Sequence, residues 1–151
     1  NRYQKNLTGL WLIQSLRREF CPTMAYDDID ERAEASGFSG VFDVNDDSFT
    51  APQSMAAAIR EYFTSRGKEA PKTEWECFAA AYNSLAAGYK NAIADLENNT
   101  GCTYSEIFIV GGGAKNTYLN ALTEKITGKR VIALPIEATA IGNLKVQMAR
   151  K

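Results

Sequence analysis

Apolar residues recur at intervals of three and four through the first hundred positions, then in short unbroken runs through the last fifty. The first spacing belongs to amphipathic helices and the second to buried strands. Leu7, Leu10, Trp11, Leu16 and Phe20 predict a helix over residues 7–20, with Gly9 inside it at a cost of about 1 kcal/mol against alanine. After Pro22 a second helix is expected over 25–36, with Tyr26, Ile29 and Ala33 on its apolar side and Gly37 as its stop. Residues 41–44 suggest a short strand, followed by the turn cluster Asn45, Asp46, Asp47 and Ser48. A third helix is expected over 52–66, with Pro52 in its first turn, Met55, Ile59, Tyr62 and Phe63 buried, and Gly67 at its end. The fourth and longest starts at a capping box made by Thr73 and Glu76. Its stripe of Trp75, Phe78, Tyr82, Leu85, Tyr89, Ile93 and Leu96 reads as core, and residues 98–101 close it.

The periodicity then changes. Residues 107–110 are apolar and mostly β-branched without alternation, as in a strand covered on both faces. Gly111, Gly112 and Gly113 end that strand, and a helix over 117–127 follows, with Leu119, Leu122 and Ile126 on its buried side and Gly128 as its stop. A second strand is expected over 130–134, parallel to the first through a right-handed crossover, and a last helix over 137–150. The fold class is therefore α/β, mainly helical over 1–101 and β–glycine turn–α–β–α over 102–151. Two parallel strands make an unusually small sheet, so further strands are expected from outside this segment. The first residue is Asn1, so the chain is expected to be one piece of a longer protein.

Composition narrows the chemistry. The 151 residues suffice for one domain with a core. Seventeen Lys and Arg against eighteen Asp and Glu give a net charge of -1, with no electrostatic footprint for nucleic acid or an anionic membrane. No apolar run is long enough to span a bilayer. Cys21, Cys77 and Cys102 are odd in number and scattered, which argues against a disulfide framework or a zinc cluster and fits a reducing, cytoplasmic setting. Histidine is absent, which removes Ser-His and Cys-His nucleophilic machinery and leaves acid–base work to carboxylates, Lys or Tyr.

The glycine turn is the main candidate for chemistry. Glycines let backbone approach a ligand closely, and the N-terminus of the following helix favours an anion such as phosphate. The same glycines could serve turn geometry alone. The turn is neither a dinucleotide fingerprint, lacking the last glycine, nor a P-loop, because Lys115 stands between Ala114 and Asn116. The acidic group Asp27, Asp28, Asp30 and Glu31 could hold a metal but equally suits a helix N-terminus. Asp46 and Asp47 lack the glycine and terminal glutamate of a calcium loop.

Residues 110–116, Val-Gly-Gly-Gly-Ala-Lys-Asn, with Leu119 and Asn120, resemble the adenosine-binding turn of the FGGY carbohydrate kinases, which belong to the actin and hexokinase-like ATPases. Residues 135–143, Pro-Ile-Glu-Ala-Thr-Ala-Ile-Gly-Asn, are similar to the segment that follows in that family, and residues 6–14 resemble the branch acting on L-rhamnulose. The resemblance covers the whole chain. It implies the partial C-terminal, nucleotide-side lobe of an actin-like (ribonuclease H-like) fold. It further implies a kinase that uses ATP and Mg2+ to make L-rhamnulose 1-phosphate. Position by position, it implies that Gln14, Gly112, Gly113 and Asn116 contact ATP and that Asn6 contacts the sugar. It places the general-base aspartate and the first phosphate loop in an upstream half absent from this chain. This segment would therefore carry no catalytic or metal-binding residue and would be inactive alone. Sibling activities on L-fuculose or D-xylulose, or a non-catalytic actin-like nucleotide-binding module, are the alternatives.

Overall fold

A computed structural model of the chain describes residue 7 and residues 9–134. The last predicted helix, over 137–150, lies outside these residues, as does Asn6. Five α-helices and two strands are present among the described residues: α1 (Trp11–Phe20), α2 (Tyr26–Ala35), α3 (Met55–Thr64), α4 (Glu74–Thr100), β1 (Glu106–Ile109), α5 (Thr117–Thr127) and β2 (Arg130–Ala133).

The centre of the molecule is α4. Its N-terminus carries the predicted capping box, with Thr73 accepting from the Glu76 N–H and the Glu76 carboxylate accepting from the Thr73 N–H. The predicted stripe understates its burial. From Cys77 to Ala86 the helix is enclosed nearly all round, including Ala79, Ala80, Ala81 and Ala86. Such burial marks a helix packed on several sides, and the alanines let its neighbours approach closely. Helices α1, α2, α3 and α5 all pack on it. Its last turns emerge toward solvent and end at Gly101, whose φ of 68° is the left-handed cap that glycine takes without strain.

The first three helices are shorter than their patterns suggest. Helix α1 starts at Trp11, so Gly9 precedes it and is not a mid-helix glycine. Its buried face is Leu12, Ile13 and Leu16, rotated from the predicted stripe, with Trp11 and Phe20 only partly covered. Helix α3 starts at Met55 rather than Pro52 because two carbon-borne oxygens act there together. Ser54 accepts from the Ala57 N–H, and the Glu19 carboxylate reaches from α1 to accept from the N–H groups of Met55 and Ala56 at 3.0 and 3.3 Å. The strand expected over 41–44 does not form, and no strand among the described residues lies beside it to pair with it. Phe42 instead donates its N–H to Ser84 Oγ at 2.9 Å and Asp43 donates to the Tyr62 hydroxyl at 3.1 Å. Phe42, Val44 and Phe49 are buried, with the Phe42 and Phe49 rings 4.6 Å apart.

Strands β1 and β2 pair in parallel, as expected, with Glu106 opposite Arg130 and Ile109 opposite Ala133. Coverage of β1 on both faces is not found: Phe108 and the following Val110 are 58% and 54% exposed. Ile107 and Ile109, which alternate with the exposed positions, are only partly buried. Lys129 anchors the sheet to α4, donating to Glu97 Oε1 and to the Tyr104 carbonyl, each at 2.6 Å.

Candidate functional site

The glycine turn sits between β1 and α5 as a turn of 3-10 helix, Gly111–Lys115. Its three glycines differ physically. Gly111 has φ 80°, a left-handed backbone that glycine adopts without strain. A Cβ on Gly113 would sit 3.5 Å from Ile109 Cγ2, an ordinary contact. Gly112 has neither constraint: its φ is not positive, and a Cβ there would meet nothing within 4 Å. Backbone geometry explains Gly111, whereas Gly112 leaves a free surface.

That surface is one wall of an open cleft of about 210 Å³. Gly112, Lys115 and Asn116 form the wall from the turn; Leu10, Ile13 and Gln14 face them from the start of α1; Tyr26, Asp27 and Asp30 complete it from α2. Helices α1 and α2 reach this position because their buried residues, Leu12, Leu16, Ile29 and Ala33, are held against α4. Gln14 is exposed, and its carboxamide makes no hydrogen bond to a described residue. The Tyr26 ring is partly exposed, with the Arg17 guanidinium 4.7 Å from its centroid. Of the residues singled out in the sequence, Gln14, Gly112 and Asn116 thus line one cleft. Gly113 instead lines an apolar groove beside Ile109, Leu119 and Thr123.

Asn116 has a second role that the sequence did not reveal. It is the N-cap of α5, its Oδ1 accepting from the Leu119 N–H at 2.7 Å. The helix N-terminus is therefore partly satisfied from within. Its Nδ2 donates to the Tyr82 hydroxyl at 3.4 Å, and Tyr82 in turn donates to Asp30. Asp30 is only 7% exposed, so it is not the solvated helix-start charge that its sequence neighbourhood suggests. Burial holds its carboxyl above the usual aspartate range, opposed by the Tyr82 hydrogen bond and reinforced by the nearby Asp27 charge. Burial also raises the Tyr82 phenol, with its hydrogen bond to Asp30 acting in the same direction, so Tyr82 keeps its proton and donates. The signal for Asp30 lay in the spacing: Asp30 follows Ile29 and precedes Ala33 by three, so it borders the core-facing side of α2.

The other chemical candidates resolve into structure. Asp46 accepts from Ser48 and pairs with Arg66 at 3.0 Å. Among the described residues no three or more His, Cys, Asp or Glu side chains gather to hold a metal. All three cysteines are free, and burial pushes the Cys77 thiol up to about 11, which makes it a poor nucleophile. No described helix is long and apolar enough to cross a membrane.

A mixed α/β segment with a glycine turn facing a cleft is the class this geometry defines, and comparison with known proteins places it further. Residues 1–150 match the FGGY family of carbohydrate kinases, C-terminal domain. The chain belongs to that family. It is 40% identical over 147 residues to the rhamnulokinase of Oceanobacillus iheyensis, covering 97% of this chain and 31% of that protein. It is 38% identical to the rhamnulokinase of Halalkalibacterium halodurans and 36% identical to that of Bacillus subtilis, again over 97% of this chain. The chain spans about a third of the length of these relatives, 31% and 30% in the latter two.

Proposed function

We propose that this chain is the nucleotide-side lobe of an ATP-dependent sugar kinase that transfers the γ-phosphoryl group of ATP to L-rhamnulose, forming L-rhamnulose 1-phosphate in rhamnose breakdown in the cytoplasm. The single observation that carries the nucleotide part is Gly112: neither its backbone nor its neighbours require a glycine, and the free surface faces a cleft. The rhamnulokinase relatives support the choice of sugar.

On this reading the lobe is of the actin-like, ribonuclease H-like kind, with residues 1–101 as its helical part and 102–151 as its nucleotide-binding part. ATP fits the residues present. Gly112 lets the nucleotide come close, Gln14 and Asn116 offer amides, Tyr26, Leu10 and Ile13 offer an apolar wall, and Lys115 offers a cation for phosphate oxygens. The Gly113 backbone packs against the nucleotide beside Gly112, while the position of its Cβ faces Ile109. Asn6 contacts the sugar. Mg2+ would neutralise the phosphates during transfer. On this reading its protein ligands, the general-base aspartate and the first phosphate loop are supplied by the upstream half of the kinase.

The test is isothermal titration of ATP into the full-length protein and its Gly112→Asp variant. A carboxylate there enters open space, so the fold should survive while the phosphates are repelled. Binding by the wild type and its loss in the variant is the expected result; equal binding by both would sink the assignment of this cleft. A coupled assay with L-rhamnulose, L-fuculose and D-xylulose then tests the sugar, and a clear preference for either of the last two would overturn the choice.

A further inference from the structure

The chain of hydrogen bonds from Asn116 through Tyr82 to Asp30 fixes what each end presents to the cleft. The Tyr82 hydroxyl hydrogen goes to Asp30, so the phenol oxygen must accept, and only the amide nitrogen of Asn116 can donate to it. Asn116 Oδ1 is held by the Leu119 N–H. One N–H of the Asn116 amide remains, and both residues line the cleft. At the other end Asp30 Oδ1 receives Tyr82, while Oδ2 has no partner among the described residues. No buried side-chain oxygen among the described residues lacks a partner, so Oδ2 keeps some exposure, and Asp30 lines the cleft. A fixed donor and a fixed acceptor therefore stand on either side of one phenol oxygen.

We propose that Asp30 and Asn116 read the base of the bound nucleotide, Asp30 accepting from the exocyclic amine of adenine and Asn116 donating to its N7. This rests on the nucleotide reading of the cleft. Adenine shows an acceptor, N7, beside a donor, the N6 amine; guanine and hypoxanthine show two acceptors, N7 and O6. A carboxylate oxygen repels O6 and accepts from the amine. Charge also orients the ligand. Asp27 and Asp30 lie together on the α2 side and disfavour phosphates there, whereas Lys115 lies on the glycine-turn side. The base is thus left facing α2, with the Tyr26 ring and the Leu10 and Ile13 side chains available to its flat faces.

The experiment titrates the full-length protein with ATP, 7-deaza-ATP and inosine triphosphate. Loss of N7 or replacement of the amine by O6 should each weaken binding roughly 5- to 150-fold. The variant Asp30→Asn can still accept from Tyr82 through its amide oxygen, and it presents an N–H2 in place of Oδ2. Its Kd ratio of inosine triphosphate to ATP should fall to about one or below. Should that variant fail to fold, the wild-type series with the three nucleotides decides alone. Equal binding of all three nucleotides, within about twofold, would overturn the base-reading role, as would an Asp30→Asn variant that weakens ATP and inosine triphosphate by one common factor. Absence of any ATP binding by the wild type would instead overturn the nucleotide reading itself, and this inference with it.

Discussion

Asp30 shows how one buried carboxylate sets local energetics. Its folded-state pKa lies above the ordinary value chiefly because burial disfavours the charge, with Asp27 adding to the effect and Tyr82 opposing it. The native state therefore holds the Asp30 proton more tightly than the unfolded chain does. By linkage its contribution to stability is fully present below the unfolded pKa and is lost as pH rises through the folded one. At neutral pH the charge is a cost, which Asp30→Asn removes while keeping an acceptor for Tyr82. The expected outcome is an Asp30→Asn protein whose thermal midpoint, relative to wild type, is higher at pH 7 than at pH 4. A relative midpoint that falls between pH 4 and pH 7 would contradict this. Taking the difference between the two proteins cancels Asp46 and Glu97, whose lowered values act in the opposite sense. Spacing to Ile29 and Ala33 hints that Asp30 borders the core, but among Asp27, Asp28 and Glu31 it reads as one more favourable charge at a helix start. Its partner Tyr82 is 52 residues away, and only packing of α2 on α4 brings the two together.

Helices and their stops were largely legible because they depend on neighbours in the chain. Gly37 and Gly67 take positive φ where α2 and α3 run out, Gly101 and Gly128 do so as the C-caps of α4 and α5, and Thr73 with Glu76 forms the predicted cap. What failed at this scale needed distant partners. Pro52 seemed to open α3, but a carboxylate from α1 selects the start three residues later. Glu19 accepts from two of the orphan N–H groups and from the Ser54 hydroxyl, so it couples α1 to α3. Glu19→Ala should cost about 1 to 2 kcal/mol of stability, the range for a lost N-terminal acceptor. Glu19→Gln, which retains an acceptor but no charge, should cost less. Denaturant unfolding measures both. Equal costs would make the charge irrelevant, and no cost in either would remove the coupling altogether. The missing strand at 41–44 has the same explanation: the residues suit a strand, yet a strand requires a neighbour, and Ser84 and Tyr62 took its donors.

At the scale of the molecule, the cleft is assembled from three segments that touch only because α4 holds them: the start of α1, the first turns of α2 and the glycine turn before α5. The sequence supplied part of the wall, through Gln14, Gly112 and Asn116, but not the α2 side, because a tertiary face carries no local periodicity. A ligand bound across such an assembly stabilises it as a whole, by about 2.7 kcal/mol at one hundred times Kd. Thermal unfolding of the full-length protein with and without ATP should therefore show a rise in midpoint. Gly112→Asp should abolish that rise while leaving the unliganded midpoint near wild type, since its side chain meets nothing within 4 Å of its Cβ. Glu19→Ala should do the reverse, because Glu19 lines no part of the cleft. It should lower both midpoints and keep the increment between them. If Glu19→Ala also lost the increment, binding would depend on how α1 is tied to α3, and the cleft could not be a preformed site. If Gly112→Asp kept the increment, ATP would be held elsewhere, and the glycine turn would be a turn and nothing more.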